Sequence, residues 1–89
     1  MLNMRVELSP QALSQEIGGE VVILDLASTT YFGLDKVGAR FWQLLQDNPE
    51  VEPACKQLLT EYEVSAEQLE LDLRQLLTQL SEAGLLKLV

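Results

Sequence analysis

The stretch Gly19–Leu45, GEVVILDLASTTYFGLDKVGARFWQLL, changes period halfway along. Its first half holds two runs of strand formers, Glu20–Leu26 (EVVILDL) and Thr30–Leu34 (TYFGL), separated by the turn Ala27-Ser28-Thr29. From Asp35 the pattern becomes helical. Val37, Phe41, Leu44 and Leu45 recur at helix spacing up to Asn48-Pro49, and Asp35 is placed to cap the first turn. Two strands therefore feed directly into a helix.

Toward the N-terminus, Leu13–Ile17 alternates apolar and polar residues and meets Gly18-Gly19, a two-residue turn that tolerates positive φ. This adds a strand and completes an antiparallel meander of three. Val6-Glu7-Leu8 reads as a short edge strand that ends at Pro10. Toward the C-terminus, Val51, Ala54, Cys55, Leu58, Leu59 and Tyr62 form an unbroken apolar stripe on a second helix. A third opens with Ser65 and Gln68 in a capping-box arrangement, carries Leu69, Leu73, Leu76, Leu77 and Leu80, and stops at Gly84. Leu85–Val89 is a short final strand or a packed tail. Strands followed by helices indicate an α+β domain: a three-stranded antiparallel sheet followed by three helices, winged helix-turn-helix-like.

Composition narrows the function. Eighty-nine residues suit one compact domain, and 47% hydrophobic content provides a core. No apolar run approaches the ~20 residues needed to cross a bilayer, and Met1–Pro10 lacks the pattern of a secretion signal. A single cysteine cannot form an internal disulfide, so a cytoplasmic setting fits. Six Lys/Arg against fourteen Asp/Glu give a net charge of −8, which repels phosphate backbones and favours a basic partner. With no histidine, the commonest general base and metal ligand is missing. Cys55 sits within an apolar stripe and reads as a small buried hydrophobe. The pairs Glu50/Glu52 and Glu61/Glu63 read as solvated helix ends. No catalytic residue, metal or cofactor is expected.

The residues from Gly19 to Leu45 resemble the PqqD-like proteins, also called RiPP recognition elements, and are most similar to the stand-alone versions of lasso-peptide biosynthesis. The resemblance is carried by an apolar strand ending in Asp25-Leu26, a polar turn, Thr30-Tyr31-Phe32-Gly33-Leu34, the acidic cap Asp35, and Val37-Gly38 leading to Trp42. The terminal Gly84-Leu85-Leu86 also agrees. It implies one PqqD-like peptide-binding domain over residues 1–89, and no enzyme. Members of the family bind the leader segment of a ribosomally made precursor. The leader pairs as an extra antiparallel strand on the third strand of the meander, in a groove closed by the third helix. The implied partners are that leader, a transglutaminase-like leader peptidase and a cyclase acting afterwards, with no nucleic acid and no membrane. The implied peptide-binding residues are Asp25, Thr29, Thr30, Tyr31, Phe32, Gly33 and Leu34 on the strand side, with Leu69, Asp72, Leu73 and Leu76 on the helix.

The residues support this reading on their own terms. Thr30–Leu34 is the last strand before the helices, and Ala27–Leu34 holds no lysine, proline or charge to protect an edge. Gly33 permits close approach of a second backbone. On the third helix, Leu69, Leu73, Leu76 and Leu80 share a face flanked by Asp72 and Gln79, and Leu71 points away. Two other readings compete. A winged helix often places its third helix in the DNA major groove, but Glu67, Glu70, Asp72 and Glu82 against Arg74 make that helix acidic. The other is an acidic interaction or chaperone-like subunit without leader specificity.

Overall fold

The chain runs β1 (Val6–Leu8), β2 (Ala12–Ile17), β3 (Glu20–Asp25), β4 (Thr30–Leu34), α1 (Lys36–Asp47), α2 (Val51–Glu61), α3 (Ala66–Glu82) and β5 (Leu86–Leu88), in a computed structural model that describes residues 3–89. Met1 and Leu2, the start of the N-terminal segment read above, lie outside those residues. The sheet β2-β3-β4 is an antiparallel meander, and three helices follow it, as the change of period predicts.

Gly18 and Gly19 have φ of 60° and 87°, the positive values a type I′ hairpin turn requires at both central positions. The hairpin closes on the pair Ile17–Glu20. A two-residue hairpin closes on a hydrogen-bonded pair, so alternation turns the backbones of Glu20, Val22 and Leu24 toward β2. The Leu26 N–H continues this series by donating to the Gln11 carbonyl at 2.9 Å. Val21, Ile23 and Asp25 then turn toward β4 and bond Leu34, Phe32 and Thr30. The same parity fixes the faces. Val21, Ile23 and Leu34 are buried inward, whereas Leu13, Ile17, Leu24 and Tyr31 lie on the outer face.

The inner face packs on α1 through Phe41, Trp42 and Leu45, and α2 and α3 close the core with Leu58, Leu73 and Leu77. Cys55 is buried there, as expected, and burial pushes its thiol pKa up, away from the reactive thiolate. Asp35 caps α1, its Oδ1 accepting from the Gly38 N–H at 2.8 Å. Gly84 (φ 76°) ends α3, with the Leu85 N–H donating to the Leu80 carbonyl and the Gly84 N–H to the Ser81 carbonyl, a Schellman closure.

Three expectations need correction. Ser65 Oγ accepts from the Gln68 N–H at 3.1 Å, but Gln68 Nε2 reaches forward to Asp72 Oδ1 at 2.9 Å, so only half of the capping box forms. The strand predicted over Glu20–Leu26 ends at Asp25, because the Asp25 carboxylate starts a turn; Leu26 is exposed. Val6–Leu8 is no edge of the meander. It pairs with Leu86–Leu88 as a separate two-stranded sheet that ties both ends of the described chain to the helices.

Arg40 joins α1 to α2 with a two-pronged contact to Glu61, Nε to Oε1 at 2.8 Å and Nη2 to Oε2 at 2.9 Å. Held by Arg40 and then by Gln57, the Glu61 carboxyl titrates at about 2, below the 4.5 of a free glutamate. A lowered folded-state pKa contributes stability above the unfolded pKa, and that contribution fades as pH falls from 4.5 toward 2. Glu61→Gln should therefore be less stable than the parent protein at pH 7, with the difference shrinking at pH 3. Urea midpoints at both pH values measure this. An equal difference at both would show that the pair adds nothing through charge.

Candidate functional site

β4 stands at one edge of its sheet, hydrogen-bonded to β3 alone. Because Thr30, Phe32 and Leu34 turn their backbone groups toward β3, the N–H and C=O groups of Tyr31 and Gly33 point out of the sheet. These are the groups an added strand would pair with. A Cβ built on Gly33 would meet no atom within 4 Å, so the face of the strand is open at this position.

Beside this edge lies an open groove of about 490 Å³ between β4, the start of α1 and α3. Its floor is apolar, with Phe32 and Leu34 from the sheet and Leu69, Leu73 and Leu76 from α3. Gly38 keeps it open at the α1 end. A Cβ there would lie 3.2 Å from Asp35 Oδ1 and 3.4 Å from both Leu34 and Leu76. The polar rim is formed by Asp35, Asp72, Gln75 and Gln79.

Of the eleven residues assigned from sequence, Phe32, Gly33, Leu34, Leu69, Asp72, Leu73 and Leu76 come together around this groove. The other four do not line it. Asp25 is only 7% exposed and organises the β3–β4 turn, accepting from the Ala27 N–H at 3.1 Å and the Ser28 hydroxyl at 2.8 Å. Thr29 sits in that turn with φ 56°, an uncommon backbone for a β-branched residue, and its N–H donates to the Asp25 carbonyl at 2.7 Å. Thr30 shares a 2.7 Å hydroxyl contact with Ser28. Tyr31 offers its backbone at the edge, but its side chain, 74% exposed, lies on the outer face with Leu13, Ile17 and Leu24. Leu71, at 63% exposure, points away from the groove as the helix spacing predicts.

Asp35, Val37, Val64 and Gln75 also line the groove and escape a sequence reading. Asp35 and Val37 read simply as a cap and a helix start. Val64 lies in the α2–α3 link, where no periodicity places it.

The family model for coenzyme PQQ synthesis protein D (PqqD) matches residues 20–86. Among solved structures, TbiB1 in complex with the TbiA(beta) leader peptide superimposes with a TM-score of 0.84 at 40% identity, covering 91% of this chain and 94% of that one. Lasso peptide synthetase B1 complexed with the leader peptide gives 0.81 at 29% identity, covering 93% and 98%. None of the curated protein sequences matches. With its meander, its three helices and a family match over most of its length, the chain belongs to the PqqD family.

Proposed function

We propose that this protein binds the leader segment of a ribosomally made precursor, in a lasso-peptide pathway, and presents it to a separate leader peptidase. The leader adds to β4 as an antiparallel strand, and α3 forms the opposite wall. One observation carries the reading: an unprotected strand edge, with the Tyr31 and Gly33 backbone groups turned outward, borders a groove with an apolar floor and a polar rim. The two structural relatives bind leader peptides, which favours this class of ligand.

The role is binding, not chemistry. The chain has no histidine, and its single thiol is buried within the core. No helix of the described residues is long and apolar enough to cross a membrane. The outer face of the sheet, where Leu13, Ile17 and Tyr31 are exposed, stays uncovered when a strand adds at β4. An added strand would extend that face.

Calorimetric titration with the TbiA(beta) leader peptide tests the binding step. Saturable one-to-one binding is expected, weakening by no more than about tenfold between low and physiological salt, because backbone bonds and buried leucines are not screened. Loss over several decades would indicate a diffuse electrostatic partner, and no saturable binding would overturn the proposal.

A further inference from the structure

We infer that the strand taken by this groove is amphipathic and cationic, with apolar side chains turned onto the leucines of α3 and a lysine or arginine beside them that meets Asp35 and Asp72. This rests on the strand-addition reading above and specifies its ligand.

Alternation supplies the first half. A strand bonded to Tyr31 and Gly33 sends the side chains opposite those two residues to the outer face. The side chains opposite Phe32 and Leu34 go inward, where Leu69, Leu73 and Leu76 wait. Along α3 the wall from Leu69 to Gln79 rises about 15 Å at 1.5 Å per residue. Inward side chains of a strand repeat every ~6.7 Å, so two or three of them fill the groove.

The charges supply the second half. Asp35 and Asp72 line the groove from different walls, Asp35 where β4 passes into α1 and Asp72 on α3. Each has one oxygen engaged, Asp35 by the Gly38 N–H at 2.8 Å and Asp72 by Gln68 Nε2 at 2.9 Å. The second oxygen of each has no protein partner among the described residues. Nor does any lysine or arginine line the groove. Arg74 is paired with Glu70 at 3.2 Å, and Lys36, next to Asp35 in the chain, makes no ion pair with either carboxylate. Both residues are exposed at the rim, where a strand laid over the groove takes part of the water from their carboxylates. A cation on that strand offsets the loss, whereas a neutral strand leaves them uncompensated and an acidic one is repelled.

The test pairs two proteins with one peptide series. The peptides are the TbiA(beta) leader and versions in which each lysine and arginine is replaced in turn by glutamine. They are titrated against the parent protein and against Asp35→Asn/Asp72→Asn. Asparagine keeps the α1 cap and the bond from Gln68, so this variant retains the fold while losing both charges. Glu67→Gln/Glu82→Gln, which removes two charges from α3 away from the groove, controls for net charge. In the parent protein, at least one replacement should weaken binding about 5- to 30-fold, and in the asparagine variant the same replacement should cost less than about twofold. The control should behave like the parent. If no replacement matters, or if all three proteins respond alike, the inference fails and strand addition stands. If the unmodified peptide does not bind the parent protein, the leader-binding reading itself falls.

Discussion

Leu73→Ala is expected to remove about 2–5 kcal/mol of stability, the cost of deleting a buried leucine and leaving a cavity behind it. Leu73 is 1% exposed and lies between the groove floor and the core that α3 shares with the other helices. A domain of 89 residues has roughly 4–13 kcal/mol of total stability, so this one truncation takes a large share of it. Leu76 lies one helical turn on and also lines the groove, but it is only half-buried. Leu76→Ala should therefore cost about 1 kcal/mol or less in folding and weaken leader binding about tenfold through lost apolar contact. Urea denaturation of both variants and titration of Leu76→Ala separate the roles. Equal losses of stability would mean that α3 presents no distinct groove-facing row.

The contrast shows what a sequence reveals about such a site. Period alone exposes the meander, the three helices and the α3 stripe, because each is a local repeat of apolar residues. Asp35, Ser65 and Gly84 were legible for the same reason: caps work within one turn. Parity was not. Whether Tyr31 or Phe32 faces the groove depends on the register of β4 against β3, and one residue of slip exchanges them. Asp25 looked available to a ligand, yet its carboxylate is occupied by Ala27 and Ser28, a contact that requires the folded turn. The pairing of Val6 with Leu88 joins opposite ends of the chain through three-residue strands, too short to show any period. Asp35, Val64 and Gln75 meet at the groove only because three distant segments converge there.

Gly33→Pro is expected to weaken leader binding by about 100-fold or more, the largest effect of any single change at this site, while the domain stays folded. Proline removes a backbone N–H, and its ring blocks close approach of a second backbone. At Gly33 that N–H points out of the sheet, so its loss falls on the added strand and not on the ladder with β3. No atom lies within 4 Å of a Cβ at this position, so the Cβ side of the ring meets no native neighbour. The preceding residue, Phe32, is already in a strand, the conformation proline demands there. Some cost remains, since proline fixes φ near −65° in an extended strand, and about 1–2 kcal/mol of destabilisation is expected. Phe32→Pro provides the contrast: the Phe32 backbone bonds Ile23 within the ladder, so that variant should lose the fold as well. Circular dichroism and a leader titration on the same samples separate the outcomes. Gly33→Pro that is folded and binds undiminished removes β4 from the site. Gly33→Pro that unfolds like Phe32→Pro places the Gly33 amide in the ladder, and the edge would then have to be sought at β2, the other outer strand of the sheet.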